Sequence, residues 1–297
     1  PELDDNQVKN MEKACQAIGF QKNQYMLVDH GESFYYYSLT QKRETWNRSI
    51  GWYAFDQDEV KFQQLTMDGS TRPVLVRLED PKITVLPSLT APDEEGEMAL
   101  EARDEAFRDF IQETLGTGLF SSIQITGYGF SPDWAKISVG SLCMQRRKVY
   151  YGNNLFAKGA CAAGKERLED KILKGYRYMS PALVLKDVGM EMRVMGAPAY
   201  YPLIEAGKNW YECKAECELI LDDVTELVFV VGTFGEKQKK KVIMELPGLP
   251  ARPNKTTRLS LSLAYVSQKK CRVIVRDLGF GEMFPSSGKV WDELVEW

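Results

Sequence analysis

A mixed α/β domain followed by an all-β domain is the fold this sequence predicts, and three observations predict it. Apolar residues recur at helical spacing in several segments before about residue 190. Short β-branched and aromatic runs alternate with those segments. From about Met190 onward the period changes to two, over Glu216–Leu221, Leu227–Val231, Lys241–Leu246, Thr257–Val266 and Cys271–Asp277. With 297 residues the chain is longer than one hydrophobic core usually serves. The expected organisation is therefore an α/β lobe over residues 1–189 and a β-sandwich over residues 190–297.

Val8, Met11, Ala14, Cys15 and Ile18 share one helical face, and Gly19 stands where that helix stops. Tyr25–Val28 reads as a short strand and Glu32–Leu39 as a second helix carrying the ring run Tyr35, Tyr36 and Tyr37. Ile50–Phe55 and Lys61–Leu65 are strand-like and joined by the polar turn Asp56–Glu59, the pattern of a hairpin, and Val74–Leu78 follows as another strand. Pro, Asp and Glu mark residues 87–97 as a loop, and Met98–Leu115 reads as an amphipathic helix with Phe107, Phe110 and Ile111 inward. Ser122–Thr126 is a short apolar strand that runs into Gly127, Tyr128 and Gly129. Trp134–Leu142 and Ala157–Ala163 read as helices, the second made of small residues that permit close approach of a neighbour.

Composition narrows the function classes. Charged residues make up 27% of the chain, yet 38 basic residues face 42 acidic ones, so the net charge of -4 supplies no positive field for nucleic acid or an anionic membrane. Six scattered cysteines without a Cys-x-x-Cys pair, and no signal-peptide pattern, predict reduced thiols in the cytoplasm. No apolar run reaches the roughly 20 residues that span a bilayer. Because the chain begins at Pro1 rather than Met, further protein upstream is expected.

The element order ending in Ile18-Gly19-Phe20, then Met26–Val28, the Glu32-Ser33-Phe34 helix and a hairpin opening at Trp52-Tyr53-Ala54-Phe55-Asp56 resembles the middle of the actin and seventy-kilodalton heat-shock chaperone ATPase superfamily. Ile123-Gln124-Ile125-Thr126-Gly127-Tyr128-Gly129 is similar to that superfamily's adenosine motif. Gly152-Asn153-Asn154-Leu155-Phe156-Ala157-Lys158-Gly159-Ala160 resembles the helix start that closes the lobe. The end of the chain, Asp277-Leu278-Gly279-Phe280-Gly281-Glu282 with Pro285 to Trp291, resembles a bacterial family of actin-like proteins. Over roughly the first 165 residues the resemblance implies an incomplete ribonuclease-H-like, actin-type lobe. It implies a nucleoside contact at Thr126, Gly127 and Gly129, a second phosphate loop with Asp56 and Asp58, and a first phosphate loop upstream of Pro1. ATP or ADP with Mg²⁺ would then belong to the longer protein.

Departures from the superfamily pattern matter equally. Phe55-Asp56-Gln57-Asp58-Glu59 has no glycine where bare amides should surround phosphates, and its acids repel a triphosphate unless a metal intervenes. Tyr128 replaces the usual second glycine of the adenosine motif. Two readings of the Thr126-Gly127 turn stay open, a nucleoside contact and a tight connection, and the connection is preferred; for Asp56 and Asp58 a solvated turn is preferred over a Mg²⁺ site.

Other residues carry less. His30 is the only histidine, so a histidine zinc cluster does not exist and a triad mechanism would have to run through this one ring. Cys213 and Cys217 are best read as packing. A phosphate contact is open for Arg146, Arg147 and Lys148 and for the run 237–241, the latter read more simply as a solvated hairpin tip guarding a sheet edge. Neither Gly207-Lys208 nor Gly288-Lys289 has P-loop spacing. The expected function is a non-catalytic or regulatory piece of an actin-like, chaperone-like protein with a degenerate nucleotide site, no catalytic and no metal residues, and a β-sandwich that holds a protein or peptide partner. The alternative is part of an active ATPase or phosphotransferase completed by an upstream lobe.

Overall fold

The computed structural model describes residues 3–88, 94–168, 171–233 and 238–297. The chain divides into two compact units. One is Met26–Ser180 with Pro1; the other joins Glu2–Tyr25 to Pro181–Trp297. The division therefore lies at Ser180/Pro181, whereas the boundary expected near residue 190 falls inside a strand of the second unit. The first helix, α1 (Asp5–Ala17), belongs with the second unit. Asp4 caps it by accepting from Gln7 N–H at 2.8 Å, and Gln7 returns a bond to the Asp4 amide, which closes both ends of the first turn.

The first unit contains α2 (His30–Leu39), β1 (Ser49–Asp56), β2 (Glu59–Asp68), β3 (Val74–Leu78), β4 (Lys82–Val85), α3 (Glu94–Leu115), β5 (Phe120–Tyr128), α4 (Lys136–Leu142), β6 (Lys148–Tyr151), α5 (Leu155–Leu168) and β7 (Tyr176–Tyr178). Its strands form one mixed sheet in the order β6-β5-β1-β2-β3-β7, with β4 also paired to β2. β2 pairs antiparallel with β1, β3 and β4, while β5 lies parallel to β1, β6 parallel to β5 and β7 parallel to β3. No strand forms at Met26–Val28, contrary to expectation; three apolar residues in a row suggested one, but the chain there leads directly into Asp29, which caps α2 by accepting from Glu32 N–H. The loop expected over residues 87–97 is shorter, because α3 already begins at Glu94; residues 89–93 lie outside the described residues.

β1 explains how this sheet is covered. Ile50 and Trp52 point to one face, where they join Phe34, Tyr35 and Leu39 of α2, Leu155 of α5 and Tyr178 in a buried cluster. Tyr53 and Phe55 point to the other, where they meet Phe107, Phe110 and Ile111 of α3, and Phe130, Trp134 and Leu142. Period two along a strand thus feeds both cores, and both faces carry helices. α2 and α5 pack closely because Gly159 has no side chain: a Cβ there would lie 1.9 Å from the Ser33 carbonyl oxygen.

The second unit adds β8 (Lys186–Val194), β9 (Ala197–Ile204), β10 (Lys214–Ile220), β11 (Glu226–Thr233), β12 (Lys239–Glu245), β13 (Arg258–Tyr265), β14 (Lys270–Gly279) and β15 (Val290–Glu296). They form two four-stranded antiparallel sheets, β12-β11-β8-β9 and β10-β13-β14-β15. Strict alternation in β13 and β14 buries Leu259, Leu261 and Leu263 beside Cys271, Val273 and Val275. Three strands of this unit escaped the sequence reading, β8, β9 and β15, as did β4, β6 and β7 of the first. In β9 six consecutive residues from Ala197 are exposed, so it carries no inward apolar row to detect. The expected turn at Gly235 lies outside the described residues, and Lys239, Lys240 and Lys241 open edge strand β12.

Candidate functional site

The five residues singled out from the sequence, Asp56, Asp58, Thr126, Gly127 and Gly129, meet at one corner of the α/β sheet. β1 and β2 are joined there by a two-residue turn, because Asp56 pairs with Glu59. Gln57 takes φ 56°, an uncommon value for a residue with a Cβ. Its N–H donates to the Tyr128 carbonyl at 2.8 Å, which ties the hairpin tip to the end of β5.

The two glycines make this approach possible. Gly127 has φ 94° and Gly129 φ 108°, both in the region that L side chains rarely adopt. A Cβ on Gly127 would lie 1.8 Å from the Phe55 carbonyl oxygen, and one on Gly129 would lie 2.2 Å from that of Gln57. Their bareness is thus used by the chain's own hairpin. The polar groups of the turn are engaged as well. Thr126 Oγ1 accepts from Trp52 Nε1 at 2.8 Å, and the Gly127 amide donates to Asn153 Oδ1 at 2.6 Å.

Arg103, fully buried in α3, holds the corner together. Its Nη1 donates to Asp58 Oδ1 at 2.6 Å and to the Pro87 carbonyl at 2.7 Å; its Nη2 donates to the Gln57 carbonyl at 2.7 Å and, at 3.4 Å, to that of Gly129. The guanidinium also lies 5.0 Å from the centre of the Trp134 ring. Asp58 accepts from Ser88 Oγ too, and the hydrogen bonds from Ser88 and Arg103 hold its carboxyl below the usual carboxylate range. The next residue, Asp104, accepts from the amides of Ile137 and Ser138 at 2.8 and 2.9 Å, so it satisfies the start of α4. Asp56 is exposed at the hairpin tip beside Tyr128, which is 77% exposed.

Arg103 and Asp104 were not singled out from the sequence. In an amphipathic helix of mixed charges, a neighbouring Arg and Asp read as solvent-facing residues, and only the fold brings Gln57, Asp58 and Gly129 to them. A weak signal existed in the unusual acids of the Asp56–Glu59 turn, which call for a cation.

The remaining candidates lie elsewhere. His30 is the first residue of α2; one face of its ring stacks on Phe156 with centres 4.2 Å apart, and burial pushes its pKa down. The buried thiol of Cys213 is pushed up to about 12 and that of Cys271 to about 11, chiefly by burial. Cys217 shifts in the same direction for the same reason. In the second unit, Asp277 forms a buried pair with Arg252 at 2.8 and 2.7 Å and also accepts from the Gly279 and Ser287 amides and the Ser287 hydroxyl. This is why the Asp277-Leu278-Gly279 and Pro285-Ser286-Ser287 segments occur together: one carboxylate gathers both.

Comparison with known proteins then assigns the chain. Residues 1–181 match the model of the family of unknown function DUF5716, C-terminal part, and residues 183–297 match a domain of unknown function, DUF8552. The chain belongs to the DUF5716 family. No curated protein matches it. Among solved structures, RuvC of Thermus thermophilus overlaps with a TM-score of 0.25 at 13% identity, over 35% of this chain and 61% of that one. Among the described residues no helix is long and apolar enough to cross a membrane.

Proposed function

We propose that this chain is a non-catalytic, regulatory portion of an actin-like, chaperone-like protein. In this reading its α/β unit keeps the superfamily's framework but has given its nucleotide corner over to internal structure. Two features support the framework. Three antiparallel strands followed by two parallel ones, in the order β3-β2-β1-β5-β6, are the arrangement of a ribonuclease-H-like sheet. Helices on both faces agree with it.

One observation supports this reading: the Arg103 guanidinium binds Asp58 and the Gln57 carbonyl at the hairpin turn that resembles a second phosphate loop in position. The turn glycines are closed against the hairpin, and the Thr126 hydroxyl and Gly127 amide have partners within the chain. This donor set does not fit a nucleotide with Mg²⁺, and no catalytic step is assigned to it. The second unit is read as a β-sandwich that receives an extended protein segment. Its edge strand β15 contains neither Lys nor Pro and turns Val290 and Leu294 outward, whereas edge strand β12 is guarded by lysines.

The rival reading, an ATPase or phosphotransferase completed by an upstream lobe, draws on the exposed Asp56 alone. Calorimetry and thermal shift with ATP and Mg²⁺ separate the two. A ligand at a hundred times its dissociation constant stabilises a fold by about 2.7 kcal/mol. No upward shift of the α/β unit is expected; a saturable one that disappears in Asp56→Asn would favour the rival.

A further inference from the structure

A cavity of about 370 Å³ opens at the far end of the same sheet, lined by Arg43, Asn47, Arg48 and Ser49 from the segment entering β1, by Met67 and Gly69, and by Val74, Leu119 and Tyr176. β1 runs from Ser49 to Asp56, so the cavity lies about 23 Å from the hairpin corner. It is in the size range of small-molecule sites.

Its charge is uncompensated. Two arginines line it and no acid does; among the described residues no carboxylate lies within ion-pair distance of either guanidinium. Glu44, next to Arg43 in sequence, pairs with Lys148 instead, and the Asp68 carboxylate, between Met67 and Gly69, keeps its charge but is held by Ser70 beyond ion-pair distance of both guanidiniums.

Arg43 is positioned without being neutralised. Its guanidinium carbon lies over Trp46, 3.8 Å from the ring centre, and Nη1 donates to Tyr176 Oη at 3.1 Å. Trp46 is itself buried and fixed, its indole N–H donating to the Gln41 carbonyl at 2.9 Å. Every contact that orients this planar fork is neutral, so its charge and its other donors stay available for an oxyanion. Asn47 is set in place by Ser121, whose hydroxyl donates to Asn47 Oδ1 at 2.6 Å.

We propose that this cavity binds a small phosphate monoester. Two unpaired guanidiniums match the charge of a phosphate dianion, and Asn47 and Ser49 add neutral polar groups. The remaining wall, made by Met67, Val74, Leu119 and Tyr176, accepts an apolar or planar body attached to that phosphate. The site is independent of the hairpin corner and of the reading given to it, so either stands if the other falls.

The test is a titration of the whole chain with phenyl phosphate in low-salt buffer free of other oxyanions, followed by the indole N–H resonance of Trp46, which is assigned with Trp46→Phe. Phenol and inorganic phosphate serve as comparators. Saturable binding is expected with a dissociation constant below about 1 mM, with inorganic phosphate at least about tenfold weaker and phenol silent. Arg43→Gln and Arg48→Gln should each weaken binding at least about tenfold, while Lys240→Gln leaves it unchanged. Arg48 is exposed and its side chain supports no neighbour through a hydrogen bond, so that variant is expected to fold, which its melting temperature checks. No saturation up to about 10 mM with the unmodified chain, or undiminished binding by folded Arg48→Gln, overturns the site. Phosphate binding as tight as phenyl phosphate overturns the monoester assignment.

Discussion

Arg103 Nη1 stands 2.6 Å from Asp58 Oδ1, an ion pair between a buried guanidinium in α3 and a hairpin 45 residues earlier in the chain. The same side chain binds three backbone carbonyls, so it fastens the hairpin, the glycine turn and the segment before α3 to one point.

Arg103→Leu should therefore destabilise the α/β unit by about 3 kcal/mol, because three carbonyls lose a charged donor as well as Asp58 its partner. Asp58→Asn should cost less, about 1 kcal/mol, since Asp58 reaches solvent and Asn still accepts a hydrogen bond. Denaturant unfolding of the two variants checks the order; equal losses would mean that the charge pair, not the carbonyl contacts, matters.

Gly127→Ala should cost several kcal/mol, on the order of 3 or more, since the new methyl meets the Phe55 carbonyl where φ is already positive. Gly164→Ala is the opposite case. It lies inside α5 with nothing within 4 Å of the new carbon, so the exchange should stabilise by about 0.5–1 kcal/mol. Thermal melts of both variants test the pair of signs.

Arg252 and the Ser287 hydrogen bonds hold Asp277 well below the usual carboxylate range. Its folded pKa is depressed, so its contribution is complete above about pH 3.9, the unfolded value, and is lost as pH falls through the folded one. Acid unfolding of the second unit should thus steepen below about pH 4, and Asp277→Asn should flatten that dependence while costing about 3 kcal/mol near neutrality. Stability measured against pH for both proteins decides it.

A single histidine makes its titration directly readable. His30 should show a pKa below 6.5, because burial disfavours its charged form. The unfolded chain then binds more protons than the folded one as pH drops past about 6.5, so this ring lowers stability toward acid. Proton NMR of the imidazole C–H gives the value, and a pKa above 6.5 would refute the expectation.

Much of the fold could be read from the sequence because its signals are local. The hairpin Ile50–Leu65, the strand ending at Thr126 and the alternation of Leu259, Leu261 and Leu263 all appear as patterns within ten residues or so. The corner where Asp56, Asp58, Thr126, Gly127 and Gly129 meet was legible as well, from motif resemblance. What occupies it was not. Arg103 becomes a structural cation only when α3 lies on the sheet, and a helical Arg among Glu and Asp looks like any surface residue. β9 was hidden for a different reason: its first six residues are exposed on both faces, so burial leaves no period in its sequence. The placement of α1 was illegible too, because its partner Lys214 meets Glu12 from 202 positions further along the chain.

That last contact makes the α/β unit an insertion. The segment carrying α1 belongs to the β unit, which the chain leaves after Tyr25 and rejoins at Pro181, so host and guest are not successive halves. Severing the protein near residue 182, where the two family matches divide, would strand α1 with the guest and strip Val8 and Glu12 from the host. The segment that can be excised is Met26–Ser180, and joining Tyr25 to Pro181 through a short flexible link is the cut that leaves the β unit its own helix.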